Sequence, residues 1–344
     1  MPLLRASSPH GHRPLSTGQV MRLVIMATLP GAAALTWFFG WGVPVNLFLA
    51  VAAALLTEAA ILRLRGRPLR LYLTDSSAMV TGVLLGLALP PFLPWWMTVI
   101  GAAFAIAFGK QLYGGIGYNP FNPAMLGYVV LLISFPVEMT TWAAPLGGDG
   151  AGLGDALQAI FVTGAAPDAF TGATPLDAFK HRSGLTTAEW WADSGLGGTF
   201  AARGWEWVNG AFLAGGLYLI WRRIFTWHAP GAMLLTLAAL ALLFQDGGSS
   251  SGHGGVLLHL FSGATMLGAF FILTDPVSSA TSTRGRVVFG IGAGILLFCI
   301  RAFGNYPDAV AFAVLLMNLA APLIDHYTKP RVYGHGAAPR GGAS

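Results

Sequence analysis

Ten apolar segments, five on each side of one long polar stretch, limit what this chain can fold into. They cover residues 21–39, 45–62, 77–89, 95–108 and 123–135, then 208–224, 231–244, 256–273, 285–302 and 308–324. Only 10% of residues are charged and 55% are hydrophobic, whereas a soluble globular chain carries about a quarter charged. Such a chain cannot cover its surface against water. The expected class is an all-α polytopic membrane protein. A straight crossing takes ~20 residues, and several segments are shorter. Pro90, Pro91, Pro120, Pro123, Pro276 and Pro307 stand at segment ends, so broken or partly re-entrant helices are expected.

Lysine and arginine accumulate on the cytoplasmic side of membrane proteins. With the N-terminus inside, all of the 19 basic residues except Lys180, Arg182, Arg203 and Arg301 fall on that side. The formal net charge of +5 is therefore a topology signal, and it gives nucleic-acid binding no support. The polar first 20 residues lack a small-residue cleavage site after an apolar core, so no removed signal peptide is expected. The resulting plan is a cytoplasmic arm (1–20), a first five-helix half (21–136), an extracytoplasmic loop (137–206), a second half (207–326) and a cytoplasmic tail (327–344). Trp190, Trp191, Trp205 and Trp207 are expected at the membrane interface, and the Ala/Gly/Thr/Pro-rich loop is expected to have little core of its own.

Gly117-Tyr-Asn-Pro-Phe-Asn-Pro-Ala-Met-Leu and Gly304-Asn-Tyr-Pro-Asp-Ala-Val-Ala-Phe-Ala each open the last segment of a half. Because five is odd, two such halves have opposite orientation, and about ten transmembrane helices in two inverted five-helix repeats are expected, an arrangement common in transporters.

Within the loop, Asp168-Ala-Phe-Thr171-Gly172-Ala173-Thr174-Pro175 has the form of an acceptor site for a modifying enzyme. Pro175 biases Thr174 towards extended backbone, and Gly172 permits close approach of another molecule. The plainer reading is an ordinary turn, and the chain supplies its own control in Ser262-Gly-Ala-Thr265. Thr265 lies mid-segment among Leu260, Phe261, Met266 and Leu267, where its hydroxyl can bond its own backbone, so it reads as helix packing.

Charged residues inside apolar segments are costly and invite suspicion of function. Glu58 has Arg63 and Arg65 close by, so pairing with one of them or snorkelling weighs at least as much as an ion site. Asp275 can pair with Arg284 or Arg286. Asp308 and Asn305 suit capping of the last segment, and Asn119 and Asn122 suit capping of the fifth, a polar path or contact with a bound ligand. These five residues (Asn119, Asn122, Asp275, Asn305 and Asp308) are the secondary candidates. The single Cys299 provides neither a disulfide nor the thiolates of an iron–sulfur cluster, and the eight histidines show no metal-ligand spacing. No metal site is expected. The runs Gly114-Gly115-Ile-Gly117 and Gly247-Gly248-Ser-Ser-Ser-Gly252 follow no strand of a βαβ unit and are poor phosphate loops.

The Asp168–Thr174 pattern, with Ser8-Pro9-His10, Ser16-Thr17, Gly117–Ala124 and Phe271-Ile-Leu-Thr-Asp-Pro-Val277, resembles the family that holds the D component of the Rnf complex and the B component of the sodium-pumping quinone reductase. The resemblance spans nearly the whole chain. It implies the same five-plus-five plan, FMN joined to Thr174 by a phosphoester through a dedicated flavin transferase, and noncovalent riboflavin as a further cofactor. Asp168, Thr171, Gly172 and Ala173 would complete the attachment motif, with Asp168 recognised by the transferase or simply a solvated loop acid. It further implies a member of a multi-chain pump in the bacterial inner membrane, coupling electron transfer between ferredoxin and NAD to Na⁺ or H⁺ movement. Other subunits, the transferase, the ion and membrane lipid are the expected partners. The short approach to the first apolar segment favours the Rnf member over its quinone-reductase counterpart. A flavin-free channel or transporter of small solutes is the alternative from another class.

Overall fold

A computed structural model describes residues 15–145, 151–164, 170–182, 184–245, 252–304, 306 and 309–330. Helices α1 (Thr17–Phe39), α2 (Gly42–Leu64), a short α3 (Leu69–Leu73), α4 (Ser77–Ala88), α5 (Trp95–Ala107) and α6 (Pro123–Ser134) build the first half. The loop contributes α7 (Pro136–Thr140), β1 (Trp142–Ala143), α8 (Leu153–Gln158), β2 (Thr171–Gly172), α9 (Pro175–Lys180) and α10 (Thr187–Asp193). In the second half come α11 (Trp205–Trp221), α12 (His228–Leu243), α13 (Val256–Phe261), α14 (Thr265–Leu267), α15 (Thr283–Phe303) and α16 (Val310–Thr328). Among the described residues four helices, α1, α2, α15 and α16, are long and apolar enough to cross a membrane. The fold is mostly helical, as a helical membrane protein requires.

Local sequence explains the helix starts. Ser16 and Gln19 close α1 reciprocally: Gln19 N donates to Ser16 Oγ, and Ser16 N donates to Gln19 Oε1 at 2.8 Å. Asn122 caps α6 and Thr174 caps α9, each followed by proline at the first helical position, where its missing N–H costs nothing.

Helix α1 packs on α11 and α6 on α16; α2 packs on α5 as α12 packs on α15. The α1–α11 seam is close. A Cβ on Gly215 would stand 2.0 Å from Ala27 O, and one on Gly31 would stand 2.2 Å from the Phe212 ring. Small residues permit such approach where apolar burial alone does not drive association.

One broken segment is found, as expected, and two expectations need correction. The apolar run 256–273 is broken at Ser262–Ala264, between α13 and α14, and then winds as a π-turn over Gly268–Ile272. The loop has a small core in which Leu176, Phe179 and Trp190 pack with Leu258. Trp190 and Trp205 are therefore packing residues, while Trp207 is exposed. Finally, Glu58 reaches neither Arg63 nor Arg65. It lies fully buried, 2.5 Å from Lys110 Nζ and 2.7 Å from Gln111 Nε2. Lys110 also donates to Ser77 Oγ, which donates to Asp75 Oδ1.

Removing one partner of a buried ion pair strands the other charge, at about 3–5 kcal/mol. Lys110→Met is expected to lower the thermal unfolding midpoint in detergent substantially. Adding Glu58→Gln should recover part of the loss, because no uncompensated carboxylate then remains. Equal destabilisation by the single and double variants would refute the pairing.

Candidate functional site

Thr174, the first candidate from the sequence, stands at the N-cap of α9. Its backbone is extended (φ −65°, ψ 152°) and its Oγ1 accepts from Asp177 N at 3.3 Å. The preceding Thr171 and Gly172 pair antiparallel with Ala143 and Trp142, which fixes the strand leading to it. Gly172 and Ala173 are exposed and Thr174 is half-buried. Asp168 lies outside the described residues.

The loop is clamped to the second half. Lys180 donates to Gly304 O, Arg182 donates to Gly252 O, and the Arg182 guanidinium lies 3.9 Å from the Phe179 ring centroid. Burial holds the Lys180 ammonium below the ordinary lysine range, opposed by the Asp177 carboxylate; burial likewise lowers Arg182.

Beside Thr174 opens an apolar crevice between the two halves. It is lined by Leu87 and Ala88 at the end of α4, Met125, Tyr128 and Leu132 of α6, Trp142, Trp205, Gly263 and Ala264. Counted to its mouth it encloses about 900 Å³, but only about 60 Å³ of it admits water, so it is a narrow slot, well below the volume of a preformed small-molecule site. Trp142 and Trp205 stack obliquely at 5.1 Å, both against Phe39. Thr174, half-buried, contributes to the wall of this slot beside aromatic and aliphatic side chains.

The two helix interruptions bordering this crevice are closed by buried amides. Asn46 Nδ2 lies 3.0 and 2.9 Å from the carbonyls of Pro90 and Pro91, and its Oδ1 accepts from Thr98. Asn209 Nδ2 donates to Gly263 O at 3.0 Å, and its Oδ1 accepts from Met266 N at 3.0 Å. Thr265, in the sequence echo of Thr174, is fully buried. Its Oγ1 lies within hydrogen-bond reach of His259 O and Ser262 O and accepts from Arg301 Nη2 at 3.0 Å. It bonds the backbone of its own segment, as expected, but at a break rather than inside a continuous helix.

Among the secondary candidates, Asn119, Asn122 and Asp275 line one larger cavity with Lys110, Arg223 and Arg286, about 1960 Å³ counted to its mouth and about 650 Å³ open to water. Asn122 caps α6 through Met125 N and donates to Ile272 O, while its own N–H donates to Asn318 Oδ1. Asn119 donates to Phe121 O. Among the described residues Asp275 makes no ion pair with Arg284 or Arg286; its carboxylate accepts from Val277 N and Ser278 Oγ and closes its own turn. Asn305 and Asp308 lie outside the described residues. Sequence reading weighed asparagines only at the openings of segments and so passed over Asn46, Asn209 and Asn318; uncharged amides inside apolar segments were the available signal.

The family model described as NQR2, RnfD, RnfE family matches residues 4–334. The chain belongs to that family. It is 57% identical to the D subunit of the ion-translocating oxidoreductase complex of Pseudomonas paraeruginosa, over 99% of this chain and 98% of that one. It is 59% identical to the corresponding D subunit of Ectopseudomonas mendocina, over 97% of each chain. With the D subunit of Cellvibrio japonicus it shares 54% identity, over 97% of this chain and 96% of the other.

Two outcomes follow from this geometry. Asn209→Leu should leave Gly263 O and Met266 N without partners, at about 1–3 kcal/mol per buried group, and lower the thermal midpoint in detergent; an unchanged midpoint would mean the break does not depend on the amide. In α10, the Thr186 amide and hydroxyl hold the Glu189 carboxyl below the ordinary range. A depressed carboxyl stabilises the cap above its unfolded pKa and loses that effect as pH falls through the folded value. Amide exchange at the start of α10, corrected for intrinsic rates, should therefore quicken as the pH falls below the ordinary glutamate range, and a pH-independent protection factor would contradict the cap.

Proposed function

We propose that this chain is the D subunit of an Rnf-type ion-translocating oxidoreductase complex and carries FMN as a phosphoester on Thr174. The observation that carries this reading is the Thr174 hydroxyl, half-buried at the mouth of an apolar aromatic crevice, in a family whose members include the D subunits of such complexes. Thr174 Oγ1 would bear the phosphate while still accepting from Asp177 N. Thr171, Gly172 and Ala173, with Asp168, would present the segment to the flavin transferase. Trp142, Trp205, Tyr128 and Leu132 would hold the ring and exclude water. When bound, the flavin supplies a carrier of one or two electrons. The chain would act only with the other subunits of its complex, coupling electron transfer between ferredoxin and NAD to Na⁺ or H⁺ movement.

In this reading the chain crosses the bacterial inner membrane about ten times as two inverted five-helix repeats. Both termini are cytoplasmic, residues 137–206 are periplasmic, and the halves span 21–136 and 207–326. The matching contacts of α2 with α5 and of α12 with α15, and of α1 with α11 and α6 with α16 across the halves, support the repeat. The larger cavity, with Asn119, Asn122 and Asp275 on its wall and Phe225, Trp227 and Phe271 beside them, has room for a second, noncovalent flavin such as riboflavin. Its lining also offers polar groups to an ion path.

In-gel flavin fluorescence after denaturation, with the transferase co-produced, tests the attachment. The unmodified chain and Thr265→Val should fluoresce, whereas Thr174→Val should not. Thr174→Asn keeps a helix-capping side chain without a hydroxyl, so its loss of fluorescence separates attachment from folding. A dark unmodified chain, with the transferase active on another target, would favour a flavin-free transporter. Flavin released by acid from Thr174→Asn in the intact complex would report the second, noncovalent site.

A further inference from the structure

We propose that the helical segment Leu153–Thr163 is an interfacial anchor whose free apolar stripe lies in the headgroup–acyl boundary of the outer leaflet. The inference rests on the membrane reading of the chain and on none of its flavin chemistry. Helix α8 runs on into a π-turn over Ala159–Thr163, and the whole segment is apolar but too short to cross a membrane. It has three faces. Ala156, Ala159 and Ile160 are buried against the protein, at 1% exposure or less. Leu153, Leu157 and Phe161, spaced four apart and therefore aligned, are 48%, 41% and 46% exposed. Asp155 and Gln158 are exposed on the remaining side, which Val162, 77% exposed, continues into the π-turn. A helix with separate protein, apolar and polar faces suits the boundary between membrane and water.

Its position in the fold selects lipid as the occupant. Trp41 N donates to Ala151 O, and a Cβ on Gly40 would stand 3.0 Å from the same carbonyl. The segment is thus docked on the corner where α1 turns into α2, and α8 packs against α2. At that corner Trp37 and Trp41 are 65% and 52% exposed, and Phe48 follows on the open surface of α2. Exposed tryptophans at a helix end mark the interfacial belt. The segment that carries the stripe is thus held next to that belt, through Ala151 at the helix corner and through α8 on α2. Such a segment would hold the start of the periplasmic loop flat on the membrane and limit how far it can lift from α1 and α2.

Nitroxide accessibility in the intact complex, reconstituted in lipid nanodiscs, tests this. In a Cys299→Ser background, labels are placed at Leu157→Cys and Gln158→Cys, with Leu153→Cys as a second probe of the stripe and Leu56→Cys on exposed α2 as the lipid control. Labels at 153 and 157 should collide with oxygen in preference to a water-soluble nickel chelate, as at 56, while the label at 158 should show the reverse. Nickel-dominated collisions at both 153 and 157 would mean a solvated stripe and overturn the proposal. Weak collisions with both reagents would mean coverage by another protein chain and overturn it equally. An oxygen-poor label at 56 would locate the failure in the membrane reading itself.

Discussion

Inside hydrocarbon no water is available to satisfy a backbone carbonyl or amide, so every interruption of a helix must find an internal partner. This chain interrupts its apolar segments after α4 and between α13 and α14, and both interruptions border the crevice beside Thr174. Asn46 and Asn209 supply the missing bonds, each bridging from a neighbouring helix to the broken one. Asn122 and Asn318 do the same between α6, α16 and the π-turn that follows α14. The crevice is thus a by-product of broken helices that remain hydrogen-bonded.

The loop depends on that arrangement. It contributes β1, β2 and α9, but its small core is completed by Leu258 of α13, and its two cationic clamps land on Gly252 and Gly304 of the second half. Thr174 therefore has a fixed place relative to both halves instead of swinging on a free tether. The two cavities lie close together, with Met125 and Ile272 on the wall of one and Ala124 and Phe271 on the wall of the other. A single turn of α6 and one π-turn separate them.

Particular residues show where sequence reading reached and where it stopped. The extended backbone at Thr174 was legible because Pro175 acts on its immediate neighbour. The contrast between an open Thr174 and a buried Thr265 was legible because neighbouring side chains announce burial. Asn122 as a cap followed from Pro123. The partners of Glu58 and Asp275 were misread. In each case the nearest charge in sequence was assumed, but the Glu58 partner lies 52 positions away on the far side of α5, while Asp275 bonds residues two and three positions on. Trp190 and Trp205 were assigned to the membrane interface from composition, and packing placed them inside.

By itself the sequence determined that this chain is a mostly helical membrane protein and that the backbone carrying the Thr174 hydroxyl is extended. These follow from composition, periodicity and the short-range effects of proline and capping residues, which act over a few positions. Only the tertiary structure decided that an apolar crevice stands beside that hydroxyl, that asparagines close the helix breaks, and that Lys110 neutralises Glu58. Those depend on which helices lie side by side, and long-range contacts between apolar faces leave no local signature in the chain.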